Sequence, residues 1–531
     1  MTELNAPAAV RAYHERSKHR LGAYAAGPET LDWDAQPDPF RRFAGAPLTP
    51  LPLKAADEAM GWNELFQPGR EARPAHLAQI GLLFECSFAL SAWKELGPDR
   101  WALRVNPSSG NLHPTEVYLM AQGLPDLADG VYHYAPKEHG LEQRAALAKR
   151  ATAPRLLVGF SSIHWREAWK YGERAFRYCQ LDMGHAIGAL RYAAALLGWR
   201  VRELGLSHGE QAALMGLDRT SDFLNAEGEE AEAVFELCLD TATEPVVDLP
   251  TMLASARWLG QANRLDAHPM YRWPVIDSVA QASRRAEAVP PKPLPVLAPR
   301  GLLPASEAKA SHLIRQRRSA QRFDRSARAD TATLWPLLAA LLPAGQLPWD
   351  MGHDDAQVHA VLFAHRVDGL APGAYLLPRN GTAQARLQSA LPQLAWQAVK
   401  GCPAELPLIE LALNPALAGT LRTLSCHQAI GADAVFVIAL LAEMDKADAP
   451  WQYRECLREA GLIGQVLYLE AEAAGLRGTG IGCFFDDPVR ELLGLGAPGT
   501  EPWQVLYHFS VGQPVPDARL ASTPPYPEPR P

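Results

Sequence analysis

Arg317-Arg318-Ser319-Ala320-Gln321-Arg322 sets three guanidinium groups and a hydroxyl within six residues. A dianionic phosphate needs such forked donors, and each charge-assisted hydrogen bond contributes about 1.5–3 kcal/mol. Pro107-Ser108-Ser109-Gly110-Asn111 is a turn of small polar residues, able to bring hydroxyls, an amide and bare backbone close to a flat polar ring. Gly478-Thr479-Gly480-Ile481-Gly482-Cys483-Phe484-Phe485-Asp486 follows a helix end. Its glycines open backbone conformations closed to other residues, and a backbone N–H there could face negative charge on a reduced cofactor. Lys170-Tyr171, within Trp169-Lys170-Tyr171-Gly172, is an acid/base candidate. An ammonium can lower a neighbouring phenol from its usual value of about 10. Adjacent residues do not share a helix face, so both act in one site only at a turn or helix start. Each stretch alone also reads as ordinary structure: a solvated basic helix end, a plain turn, a helix cap, a core tyrosine beside a solvated lysine.

An internal repeat must position these stretches, and its halves have lost opposite parts. Arg16-Ser17 and Arg20 match Arg318-Ser319 and Arg322; Gly130 and Tyr132 match Gly373 and Tyr375. Gly184, Leu190 and Gly198 match Gly461, Leu467 and Gly475 at one constant offset. Where the first half has Pro107 to Asn111, the second has only Pro348-Trp349-Asp350-Met351-Gly352-His353. Where the second has Gly480 to Asp487, the first has only Arg202-Glu203-Leu204-Gly205-Leu206-Ser207-His208. Complementary loss predicts one site shared between the halves. A second one, built from Arg16, Ser17, Arg20 and the Pro348–His353 turn, is expected to be empty or weak.

The local pattern is α+β. Met183 to Gly198 reads as a buried helix ending at glycine, and Leu462 to Gly475 as its counterpart, with Glu470 and Glu472 on a wetter side. Val117 to Ala121, Val361 to Ala364, Ala233 to Leu239 and Val505 to Val511 read as strands. Val289 to Pro299 holds five prolines, an extended spacer rather than a helix. The expected domains are 1–248, a connecting segment 249–305, and 306–520, with Thr251 to Ala288 as a connecting helix draped over one domain.

The 531 residues suffice for two or three domains, and 48% hydrophobic with 21% charged residues is ordinary globular composition. A net charge of −8 gives no global sign of nucleic-acid binding. The seven cysteines form no CxxC motif, which suits reduced thiols and no metal site. Met1 to Tyr13 lacks a signal pattern and no apolar run spans a bilayer, so a cytoplasmic enzyme is expected.

Together these residues resemble the SagB/ThcOx-type dehydrogenases of the FMN-dependent nitroreductase superfamily. The resemblance rests on Tyr13-His14 through His19, Pro107 to Glu116, Val131 to Tyr134, Lys170-Tyr171-Gly172 with Arg174, and Leu181-Asp182 with Gly184-His185. The Arg-Arg-Ser entry and the Gly480–Asp486 ending carry it in the second half. It implies two nitroreductase-like domains, each of helices around a central sheet, joined as an intramolecular pseudo-dimer. It further implies FMN, with Arg317, Arg318, Ser319 and Arg322 at the phosphate. Gly480, Ile481, Gly482 and Cys483 would lie near the flavin N5 side, and Pro107, Ser108, Ser109, Gly110 and Asn111 would reach across. One departure stands out: where the family often has a second cation, this chain has Gln321, with Arg322 one residue later. The implied reaction is oxidation of a peptide-derived azoline or similar heterocycle, with Lys170-Tyr171 abstracting the proton. Two other functions fit the same residues: an NAD(P)H-dependent nitro or quinone reductase, and a non-catalytic scaffold in a peptide-modifying complex. The implied partners are a small-molecule or peptide substrate and other peptide-modifying enzymes, with no nucleic acid and no membrane.

Overall fold

Short apolar runs flanked by turn residues form the strands, and two long runs rich in alanine and leucine form the central helices. The computed structural model describes residues 5–148, 154–239, 253–352, 355–444, 449–495 and 502–526. His353 therefore lies outside the described residues, as do parts of the expected connecting segment. The first sheet runs Arg257–Trp258, Gly140–Ala146, Gly130–Ala135, Thr115–Gln122, Arg155–Ser162, Glu230–Cys238, Arg200–Glu203, with Leu48–Pro50 beside Gly140–Ala146. The second runs Gln397–Ala398, Ile409–Leu413, Gly373–Leu377, Val358–Ala364, Phe436–Glu443, Trp503–Gly512, Arg477–Ile481. Both are antiparallel throughout. They share one strand order, including the edge strand that follows each long helix. Thr115–Gln122 and Val358–Ala364 are buried along their full length, which is why they read as continuous apolar runs.

Ala175–Leu196 and Gln452–Ala473 are the long helices. The first is buried at every position, so no amphipathic stripe marks it. Gly198 follows at φ +70 and Gly475 follows the second at φ +73, the left-handed caps the two glycines were expected to provide. The helices pack on each other and on their own sheets. At their crossing, a Cβ on Gly184 would strike the Arg458 carbonyl oxygen, and one on Gly461 the Leu181 carbonyl oxygen. Backbone meets backbone there, and only glycine allows it.

Several elements cross between halves. Ala521–Thr523 adds a strand to the Leu90–Leu96 and Asp99–Arg104 hairpin. Buried Arg174 and Arg177 donate to Asp486 at 2.8 and 2.7 Å. These two guanidiniums hold its carboxyl far below the usual range despite burial.

Two local expectations change. Glu470 is fully buried, not on a wetter side; it accepts from Arg300 at 2.6 and 2.8 Å. A helical heptad pattern does not reveal a partner far along the chain. The described part of Thr251 to Ala288 is a strap rather than one helix. Two short strands, Arg257–Trp258 and Gln261–Ala262, precede the helix Pro274–Ala282, which packs on Ala6–Arg16. Among the described residues no helix is long and apolar enough to cross a membrane.

The crossing predicts unequal costs for adding a side chain. Gly461→Leu should lower stability by about 3 kcal/mol or more, since overpacking a backbone contact forces the helices apart. Gly419→Ala, on the helix Leu417–Leu424 with nothing within 4 Å of its Cβ, should raise it by about 0.5–1 kcal/mol. Urea unfolding of both variants reads the difference, and a tolerated Gly461→Leu would contradict the close crossing.

Candidate active site

Three of the sequence-predicted stretches meet at one cavity of about 610 Å3 between the halves. Pro107 to Asn111, Arg317 to Ser319 and Gly480 to Cys483 all line it, and Tyr171 joins them. Arg322 does not: it is exposed and off the wall, whereas Gln321 lines it. The chain turns between those positions because Arg322 bonds Val515 through its backbone and Phe323 pairs with Pro514. Lys170 is likewise not on the wall.

One end of the cavity is cationic. Arg317 is buried; its Nε donates to the Val105 carbonyl at 3.1 Å and its guanidinium lies 4.9 Å from the Tyr468 ring. Its Nη1 is buried with no partner, which is costly unless a ligand satisfies it. Arg318 donates to the carbonyls of Arg315, Arg317 and Ser91. Burial first, then Arg317, pulls its value down to about 10. Arg477 and Lys94 line the same end. Arg477 pairs with Glu472 at 2.9 Å, and Asp517 on the wall pairs with Arg519. The remaining cations lower one another's affinity for protons, after burial, at Lys94 and Arg318. Such a cluster fits an anion. Sequence reading missed Lys94 and Arg477; Arg477 stands directly before the glycine run and was visible there.

Tyr468 organises this end. Its hydroxyl accepts from the Gly480 N–H at 3.0 Å and shares a hydrogen bond with Ser319 Oγ at 2.7 Å. The Gly480 N–H is thus engaged by a side chain. The run Arg477–Ile481 is a strand paired with Trp503–Gly512 rather than a free loop. Glycine is required for proximity: a Cβ on Gly480 would strike the Tyr507 hydroxyl, and one on Gly482 the Tyr178 ring.

The opposite wall is the Pro107–Asn111 turn. Gly110, Asn111 and His113 have φ of 56, 60 and 55, three left-handed residues in four that surrounding contacts must hold. Asp182 does so: its carboxylate accepts from the Ser109 N–H at 3.0 Å and from Ser109 Oγ at 2.8 Å. Burial raises the Asp182 carboxyl to about 7 against these hydrogen bonds. Tyr171 closes this wall, so near Gly110 that a Cβ would meet its hydroxyl. Its ring meets Tyr178 edge-on at 4.7 Å.

The expectation that Lys170 lowers the Tyr171 phenol does not hold. Tyr171 ends the helix His164–Tyr171, and the Lys170 ammonium lies over the Trp33 ring at 5.2 Å and the Tyr171 ring at 5.3 Å. Burial pushes the phenol well above its usual value, so it is neutral. Burial also lowers Lys170. Glu167 is buried with both carboxyl oxygens unpartnered, and burial holds it protonated.

A second cavity, about 460 Å3, occupies the matching place across the helix crossing. By the Gly184–Gly461 offset, Glu455, Glu459 and Leu462 stand for Tyr178, Asp182 and His185, and Gly205 for Gly482. Arg16, Ser17 and Arg20 line neither cavity. Arg16 pairs with Glu173 at 2.6 Å, Ser17 Oγ bonds the His14 carbonyl, and Arg20 reaches Glu15. The proline spacer lies in that cavity instead, with the Val289 N–H on the Gly205 carbonyl at 2.7 Å. Arg285, Arg379, Arg454 and Arg458 on its wall each face a carboxylate. Among the described residues no unpaired cluster of guanidiniums like that of the first cavity gathers at one end of it.

Asp182 gives a pH prediction. A carboxyl raised from its usual 3.8 to about 7 binds its proton more tightly when folded. Stability should therefore fall, relative to Asp182→Asn, as pH rises from about 4 to about 7, and the gap should then stay constant. Urea unfolding at stepped pH checks this; parallel curves would contradict a protonated Asp182.

Residues 314–513 match the family model described as "Nitroreductase family". The crystal structure of a nitroreductase-named protein from Anabaena variabilis superposes with a TM-score of 0.69 at 21% identity, covering 96% of this chain and 99% of that one. A Methanocaldococcus jannaschii protein bearing a nitroreductase name is 29% identical over 113 residues, 19% of this chain. That match spans 57% of the relative's length. The chain thus has a nitroreductase-like fold, and residues 314–513 are similar to the nitroreductase family model.

Proposed function

We propose that the larger cavity is the single flavin site of an FMN-dependent oxidoreductase. Its reaction is that of a SagB-type dehydrogenase, converting a peptide-derived azoline or similar heterocycle to its aromatic form. The observation that carries this reading is convergence: Tyr171 stands on the same wall system as the cationic end and the strained Pro107–Asn111 turn. The residues fit FMN. The partnerless buried Arg317 Nη1, with Arg318, Ser319 and Arg477, suits a phosphate, and Ser108, Ser109 and Asn111 suit a polar ring edge. When bound, FMN accepts the hydride equivalent that such an oxidation releases.

The protein's own groups handle protons. Tyr171 is the member of the Lys170-Tyr171 pair that meets the cavity, and as a neutral phenol it donates to or relays from a substrate atom. Lys170 sits behind it with its ammonium over the Tyr171 ring at 5.3 Å, a positive charge that favours negative charge developing on the phenol. Asp182, with a value near neutrality, holds the turn and can take or return a proton. The nitroreductase family match supports an NAD(P)H-dependent reductase equally, since both readings use the same cavity.

Arg317→Ala should weaken FMN binding by about 10–100-fold, the loss of one charge-assisted contact, whereas Arg322→Ala should leave it unchanged. Fluorescence titration reads both; equal losses would contradict the placement of the phosphate end. Tyr171→Phe should keep its flavin spectrum and lose about 10²–10⁴-fold in turnover of a thiazoline peptide. Rapid flavin bleaching by NADPH, with no turnover of thiazoline peptide by the wild type, would favour the reductase.

A further inference from the structure

We propose that Cys426 and Cys483 form a peroxide-reactive thiol pair at the cavity wall, which closes to a disulfide. The two residues are far apart in sequence and come from different segments. Cys483 lines the cavity directly after Gly482, and both thiols are half-buried rather than sealed in the core. The two thiols lie close enough to shift each other's titration. Backbone contacts hold the two segments together: the Phe485 N–H donates to the Leu424 carbonyl at 2.8 Å, and Gln428 Nε2 to the Cys483 carbonyl at 3.2 Å.

The backbone at Cys426 is strained where these segments meet. Cys426 and His427 have φ of 51 and 61, two successive side-chain-bearing residues in the left-handed region. Strain of this kind persists where surrounding structure over-determines it, and here it falls in the segment that the Phe485 and Gln428 contacts hold against Cys483.

The neighbours favour a thiolate on Cys483. His19 accepts from the Ala25 N–H through Nδ1 at 2.9 Å, which leaves Nε2 to donate to the Cys483 sulfur. Cys426, then His19 and Arg174, hold the Cys483 thiol below its usual value against burial. Cys483 lines the cavity and Cys426 does not, so Cys483 is the thiol that meets a peroxide and Cys426 the one that resolves it. Among the described residues no group of three or more His, Cys, Asp or Glu side chains is placed to hold a metal ion.

The chemistry balances with one hydroperoxide. The Cys483 thiolate attacks a peroxide oxygen; the O–O bond breaks, Cys483 becomes a sulfenic acid, and the leaving hydroxide takes a proton to become water. Cys426 then loses its proton and attacks the Cys483 sulfur; the S–S bond forms, the S–O bond breaks, and a second water leaves. Two thiols are oxidised and one peroxide is reduced. If reduced flavin returns its electrons to oxygen, peroxide arises beside Cys483; this clause alone rests on the proposed function.

The test uses the full chain and added hydrogen peroxide, so it is independent of any flavin turnover. One equivalent of peroxide, then N-ethylmaleimide in denaturant and peptide mass spectrometry, should yield a Cys426–Cys483 cross-linked peptide. Half-buried Cys402, whose thiol burial raises, should remain alkylated at least tenfold more completely. In Cys426→Ser, Cys483 should stop at a sulfenic acid that dimedone traps. Cys483 oxidising no faster than Cys402, or a sulfenic acid that persists in the wild type without cross-linking, would overturn the proposal.

Discussion

The structure depends on the contact of two helix backbones at Gly184 and Gly461. With no Cβ on either residue, the long helices approach until carbonyl oxygens face α-carbons. Everything functional is measured from that crossing. Tyr178, Asp182 and His185 leave the first helix toward one cavity, and Tyr468 leaves the second toward the same space. Helix positions at the matching offset line the other cavity. A looser crossing would separate Ser319 and Tyr468 from the turn that Asp182 holds.

A symmetric frame has been filled asymmetrically. On one side the frame keeps a cationic end, a strained polar turn and a neutral phenol. On the other, Asp350 is buried against Arg191 at 2.7 Å and the proline spacer occupies the wall. The buried pairs of Arg174 and Arg177 with Asp486 tie the glycine-rich strand to the first half. Breaking one partner of such a cluster leaves a buried charge, which costs far more than the intact pair contributes. The larger cavity is therefore made by both halves and held by contacts between them.

Much of this was legible in the sequence. The strands and long helices follow from apolar runs and terminal glycines, and the constant offset of Gly184, Leu190 and Gly198 marked the helix pair before its crossing was seen. Three of the four chemical stretches reach one cavity, from opposite sides. What escaped depends on long-range contact. Arg322 carries the right charge but faces solvent one residue past Gln321. Arg16 and Ser17 match the second-half motif by type, yet Glu173 draws Arg16 elsewhere. Asp182 stands in the Leu181-Asp182 motif, but its raised value comes from burial, which no spacing reveals. The Lys170-Tyr171 pairing was visible, whereas its direction was not: burial outweighs the neighbouring ammonium.

The central claim, that one cavity and not two takes the flavin, is tested most directly by the stoichiometry of bound FMN per chain. The chain should be saturated with FMN, freed of excess, and denatured to release the flavin for absorbance against a separate protein determination. The account predicts one FMN per chain. Two per chain, or none retained, would contradict it.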